Sequence, residues 1–178
     1  MRLYSQQQDY MTTFIIRPTT PDDYAWNTRV IVEHWSAETV VVHGEIYRPV
    51  ELLGFVAEAD GQIIGLLTYH IQGEACEIVT LDAWRAGLGV GTALIEAVKQ
   101  AAGREKRRRE PVERCRRLFV VTTNDNTPAL RFYQKRGFVI AAVHLNAIEK
   151  DRRLKPEIPL TGMDGIPIRD EIELEIRL

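Results

Sequence analysis

The run Gly87-Leu88-Gly89-Val90-Gly91, lying between a strand-like and a helix-like segment, constrains this chain more than any other feature. Three glycines at alternate positions let the backbone turn sharply and leave N–H groups uncovered at the positive end of the following helix. Such a junction suits a pyrophosphate. Close packing of helix on strand uses glycines in the same way, so the loop alone does not decide. What precedes it narrows the choice. Leu53–Glu58 and Gln62–Ile71 flank Ala59-Asp60-Gly61, and Asp-Gly is a strong hairpin signal. Gln72-Gly73-Glu74 then turns the chain into Cys76–Leu81. An antiparallel meander therefore feeds the glycine loop, where a Rossmann fingerprint would open a parallel unit and carry glycine, not Thr92, at its third position. No Gly-Lys pair exists, which removes a P-loop.

Periodicity organises the rest. Residues 1–13 read as a polar tail, with Met1 and Met11 both open as the start. Phe14-Ile15-Ile16-Arg17 is a short strand closed by Pro18. Thr20-Pro21-Asp22-Asp23 opens a helix that buries Trp26, Val30, Ile31 and Trp35. Residues 36–51, with Gly44 and Pro49, read as a loop holding at most a short helix. After the glycine loop, Leu94, Ile95, Val98, Ala101 and Ala102 mark one face of a helix. Gly103–Arg117 is a charged connector, and its Lys106–Arg109 run reads as a solvated helix end. Leu118–Thr123 and Phe138–Val143 read as buried strands around a helix, Ala129–Arg136, that Thr127-Pro128 caps and Gly137 ends. Pro156, Pro159, Gly162, Gly165 and Pro167 stiffen a long loop; its Glu157 and Asp164, with Asp170, fit a preference for a cationic substrate and plain solvent exposure equally well. In the last strand Ile168, Ile172, Leu174, Ile176 and Leu178 alternate with Arg169, Glu171, Glu173, Glu175 and Arg177. This order predicts an α+β fold over residues 14–178 as one domain. Its mixed, mostly antiparallel sheet would carry helices on both faces.

Composition excludes several functions. A net charge of −2, from 23 basic and 25 acidic residues, is too neutral for a dedicated nucleic-acid binder. Cys76 and Cys115 make no disulfide framework, and His34, His43, His70 and His144 show no ligand spacing, so no metal is expected. The longest apolar run, Phe138–Val143, is far short of a membrane span. The N-terminal residues lack the apolar stretch of a signal peptide, which points to the cytoplasm.

A second motif, Asn126-Thr-Pro-Ala129-Leu-Arg-Phe132-Tyr133-Gln-Lys-Arg-Gly137-Phe138, changes the weight of the first. Together they resemble the GNAT superfamily of N-acetyltransferases, whose pattern there is Asn-x-x-Ala-x-x-aromatic-Tyr-x-x-x-Gly-Phe. The glycine loop resembles the family's acetyl-CoA loop, Gln/Arg-x-x-Gly-x-Gly/Ala, through Gly89 and Gly91. Ala86 stands at the Gln/Arg position, with Arg85 one residue early. The resemblance covers residues 14–148 and implies transfer of an acetyl group from acetyl-CoA to a primary amine. It implies that the backbone of Leu81 pairs with pantetheine and polarises the thioester carbonyl. It also implies that Leu88, Gly89, Val90, Gly91 and Thr92 cradle the pyrophosphate, that Asn126 contacts the CoA arm, and that Tyr133 protonates the departing thiolate.

Chemistry supports these roles. An alkylamine with a pKa of about 10.4 is an ammonium at neutral pH and needs a base before it can attack. A tyrosine with a pKa of about 10 stays protonated and can donate. Glu77 is the candidate base, because alternation along Cys76–Leu81 sets Glu77 and Leu81 on one face and Cys76 on the other. His43, in the loop where the family binds acceptors, reads as a surface histidine. The acceptor is a small-molecule or peptide amine, attacked directly in a ternary complex, and a homodimer is compatible with the sequence. The competing reading is a silent CoA sensor, which the retained Glu77 and Tyr133 oppose.

Overall fold

The computed structural model describes residues 13–35, 38–104 and 115–178. The N-terminal tail up to Thr12 and the Lys106–Arg109 run lie outside them. Seven strands form one sheet in the order β1-β4-β5-β6-β7-β9-β8. They are β1 (Ile15–Pro18), β4 (Leu53–Ala59), β5 (Gln62–Gln72), β6 (Ala75–Ala83), β7 (Arg117–Thr123), β8 (Val139–His144) and β9 (Glu171–Arg177). Every neighbouring pair is antiparallel except β6 with β7. The expected α+β class and mixed sheet are what the chain adopts.

A turn of 3-10 helix, Pro21–Asp23, leads into α1 (Tyr24–Trp35), which packs Ile31 on Val56 and Leu66 on one face of the sheet. Trp26, half-buried, meets Trp84 edge-on with centroids 5.7 Å apart. On the other face α2 (Val90–Arg104) and α3 (Thr127–Gln134) build the main core. Leu94, Ile95 and Val98 interlock there with Leu67, Ile78, Leu118 and Leu174, all but removed from water. Gly137, at φ +85°, ends the α3 segment as its position demands. Among the described residues no helix is long and apolar enough to cross a membrane.

Four local expectations are corrected. Residues 38–51 hold the expected short helix as a 3-10 turn, Pro49–Glu51, but also two strands: β2 (Val40–Val42) and β3 (Glu45–Tyr47) pair around His43-Gly44, both at positive φ. The turn is built on His-Gly rather than on the Asn-Gly or Asp-Gly pair that signals a hairpin. A seven-residue helix, α4 (Ile148–Leu154), precedes the proline-rich loop and is too short for a clear period. β8, read as buried, is the sheet's edge strand and leaves Val139, Ile140 and Val143 half exposed. β9 inserts between β7 and β8, and its outward-reading Glu171 is only 3% exposed.

Candidate active site

The site begins with an irregularity in β6. Thr80 faces Thr68 and Ile78 faces Tyr69, which leaves Val79 as an extra residue, a β-bulge. The bulge resets the alternation. Leu81 joins Cys76 and Ile78 on the α2 side, whereas Glu77 turns to the β2–β3 hairpin and bonds Tyr47. Glu77 and Leu81, expected on one face, thus lie on opposite faces; Cys76 lies opposite Glu77 as expected. The parallel pairing of β6 with β7 stops at Ile78–Val120. Beyond it the two strands part and open a gap through the sheet.

On the α2 side the glycine loop stands beside this gap. Gly87 and Gly89 take φ of +83° and +77°, which a side chain would strain. The N–H of Ala93 bonds the Gly89 carbonyl at 3.0 Å, so the first-turn N–H groups of Val90, Gly91 and Thr92 precede the helix's own ladder. A side chain at Gly91 would start 2.9 Å from the Phe132 ring. Leu88 is partly exposed and Val90 buried. Arg85 points away and donates to Gln62 at 3.4 Å. Arg136, which motif reading passed over, stands nearby instead. It donates to the Thr92 hydroxyl at 2.8 Å and to the Phe132 carbonyl at 2.7 Å, and stacks 3.4 Å above the Phe132 ring. A fixed guanidinium therefore flanks the first turn of α2, where Ala86 supplies none. Only the return of α3 against α2 reveals it.

A cavity of about 270 Å³ lies between Leu81, Gly91, Pro128, Ala129, Phe132 and Tyr133. Tyr133 is buried between Phe132 and Phe138, with centroids at 5.2 and 5.3 Å. Burial, reinforced by the charge of Asp82, holds its pKa well above the ordinary tyrosine value. Asn126 uses its side-chain oxygen to cap α3, accepting from the Ala129 N–H at 3.2 Å.

The opposite face is acidic. Glu77 is 6% exposed; Tyr47 donates its hydroxyl to Oε2 at 3.1 Å, and Oε1 has no partner. Burial raises its pKa against the lowering effects of Tyr47, His43 and His70. His43 is exposed, as expected of a surface histidine, yet it is tied to Glu171. Its Nδ1 lies 3.1 Å from Glu171 Oε2, its backbone N–H donates to Glu171 Oε1 at 3.1 Å, and the carboxylate raises the imidazole pKa. The His144 ring meets it edge-on at 4.9 Å. His43, His144 and Glu173 bring one ligand atom each within 4.8 Å of one another, although no sequence spacing announces them. Arg117 already holds Glu173 at 2.6 Å and Glu175 at 3.0 Å.

Asp151 of α4 is 1% exposed and accepts the Gly44 N–H at 2.8 Å. Burial, then the charge of Glu171, pushes its pKa up to about 6. Burial also acts on Glu171, but the bonds from His43 outweigh it and hold that group down. Both line a cavity of about 170 Å³ whose other walls include Val40, Val79, Val121 and Ile148. Asp170 is buried too, paired with Arg169 at 2.8 Å and the Asn146 N–H at 2.8 Å, unlike the exposed Glu157 and Asp164.

Residues 19–138 match the model of the Acetyltransferase (GNAT) family. "Uncharacterized protein YdhI" of Bacillus subtilis (strain 168) is 45% identical over 146 residues, 82% of this chain and 86% of that one. A GNAT family acetyltransferase from Elizabethkingia anophelis, solved with acetyl-CoA bound, superposes with a TM-score of 0.62 at 20% identity, covering 93% of this chain and 98% of that one. Arabidopsis thaliana NAA60, solved with a bisubstrate analogue, gives 0.61 at 19% identity, covering 93% and 98%. The motifs, the strand order and these likenesses converge, and the chain belongs to the GNAT acetyltransferase family.

Proposed function

We propose that this acetyltransferase moves the acetyl group of acetyl-CoA directly onto a primary amine, with both substrates bound together. The observation that carries the reading is the gap between β6 and β7, which has the glycine cradle and Tyr133 on one face and buried acids on the other. The residues present fit a pyrophosphate. First-turn N–H groups of α2 emerge from a backbone bent by Gly87 and Gly89, Gly91 keeps Phe132 in place, and Arg136 adds positive charge.

The bound thioester supplies an activated acetyl group. The edge of β6 that β7 leaves uncovered around Leu81 offers backbone groups to orient it and polarise its carbonyl. The amine enters from the other face as an ammonium. Glu77, desolvated and with one oxygen free, takes its proton directly or through a water. Tyr133, kept protonated by its surroundings, gives its proton to the departing thiolate. No enzyme nucleophile is needed, and Cys76 is sealed in the core. The bound acetyl-CoA and bisubstrate analogue of the two structural relatives favour the same donor and order.

A thermal melt tests the donor. Acetyl-CoA at 100 times its dissociation constant adds about 2.7 kcal/mol of stability, and NADH adds none. Absence of a shift would sink the proposal. With the donor established, initial rates at varied concentrations of both substrates should give intersecting double-reciprocal lines; parallel lines would replace direct attack by an acetylated enzyme.

A further inference from the structure

Within the acidic face, two carboxylates are not equivalent. Glu171 has the His43 ring beside it, with Nδ1 3.1 Å from Oε2, and the His43 backbone N–H on Oε1. Asp151 has one backbone donor, Gly44, at 2.8 Å. Its Oδ2, like Oε2 of Glu171, has no hydrogen-bond donor among the described residues although the two residues are 1% and 3% exposed, and the two carboxyls sit against each other. A buried carboxylate oxygen without a donor is costly, and a second carboxylate beside it raises the cost. Both groups line the 170 Å³ cavity, so a cation entering it meets the missing partner.

The rest of the cavity defines what the cation is attached to. Val40, Val79, Val121 and Ile148 supply branched aliphatic walls. Val79 and Val121 are the first residues past the last β6–β7 pair, so one wall of the cavity is the opening itself. A volume of 170 Å³ equals that of about five or six waters, enough for a short alkyl group. A carboxylate next to the amino group would face Asp151 and Glu171, and a second ammonium would meet Lys155, which also lines the cavity.

We infer that Asp151, backed by Glu171, binds the ammonium of the acceptor, and that the acceptor is a compact aliphatic primary amine without a carboxylate beside its amino group. The inference rests on the acetyl-transfer reading and names the substrate class of that site. Asp151 meets the incoming ammonium; Glu77 then takes the proton that attack requires.

The test compares isopentylamine, spermidine, leucine and a peptide with a free N-terminus as acceptors for the wild-type enzyme, with acetyl-CoA binding measured in parallel. Isopentylamine should lead by about tenfold or more in kcat/KM, the factor that one well-matched charged contact confers. Asp151→Asn should raise its KM by about tenfold or more, with the acetyl-CoA dissociation constant unchanged. Val121→Phe, which fills the cavity without touching a charge, should raise the KM for isopentylamine more than that for methylamine. Acetylation of spermidine, leucine or the peptide at least as efficient as that of isopentylamine overturns the assignment and leaves acetyl transfer standing. So does a KM for Asp151→Asn within twofold of wild type. No acetyl-CoA binding and no turnover of any amine removes the underlying reading and this inference with it.

Discussion

Asp23 and Asp151 are both hidden, at 6% and 1% exposure, yet their surroundings push them in opposite directions. Asp23 receives two nitrogens of Arg17 at 2.8 and 2.9 Å and the Thr20 N–H at 2.8 Å. Those bonds, led by Arg17, overcome burial and hold its pKa at about 2. Asp151 has one N–H and a carboxylate neighbour, and burial carries it to about 6. Burial is common to both; the supply of donors differs. Asp23 is saturated, and through Arg17, which also bonds Glu58 at 2.9 Å, it ties β1 and β4 to the start of α1. Asp151, Glu171 and Glu77 each keep an oxygen without a partner among the described residues. A carboxylate of the first kind stabilises a fold, and one of the second kind is ready to bind or exchange a proton.

The comparison breaks most visibly at Glu77. Glu77→Gln should lower kcat by about 10³-fold, within the range of general base catalysis, and leave the acetyl-CoA melting shift intact. The wild-type rate should climb with pH as Glu77, its pKa raised by burial, loses its proton, and the variant should lack that limb. Normal turnover would place Glu77 beside Asp23 as a structural group. Tyr133→Phe removes a buried hydroxyl on the other face and should cost about 10²-fold in kcat with little change in melting. Wild-type rates there would dismiss the tyrosine as the acid.

Asp23→Ala should cost about 2–3 kcal/mol. A fall in Tm of about 4–12 °C follows for a chain of this size. Because its folded pKa is depressed, that contribution is complete above the unfolded value of about 3.9 and disappears as pH falls toward 2. Denaturant melts of wild type and variant should converge over that window. The smallest effect is expected for the stability of Asp151→Asn. A carboxyl raised to about 6 is least costly when protonated, so the asparagine variant should match wild type near pH 4. Its advantage, about 1 kcal/mol or less, should grow as pH rises through 6. A loss of stability at pH 8 would show that Asp151 is held as Asp23 is.

Legibility from sequence followed backbone chemistry. The Asp60-Gly61 turn takes φ of 52° and 71°, and Gly87, Gly89 and Gly137 occupy the left-handed conformations that their spacing announced. The meander, the cradle and the α3 motif were therefore readable. The Val79 bulge was not, because no glycine or proline marks it, and one extra residue inverts every face assignment beyond it. Apolar residues in β8 cannot report that their strand is an edge, since that depends on where β9 inserts. The acid cluster was least visible: its bonds join His43 to Glu171 across 128 positions and Gly44 to Asp151 across 107.

The short parallel pairing of Ala75–Ile78 with Arg117–Val120 has a mechanical meaning. It joins two plates, β1-β4-β5-β6 and β7-β9-β8, each stitched by antiparallel ladders. A small rotation about this four-residue hinge changes the width of the gap while leaving the ladders inside each plate intact. What resists the rotation is apolar packing of α2 and α3 across both plates, through Leu67 on one and Leu118 and Leu174 on the other. Stiffness of the core thus sets the width of the gap, and a lost methyl group at Leu174 would be felt as a change in that width.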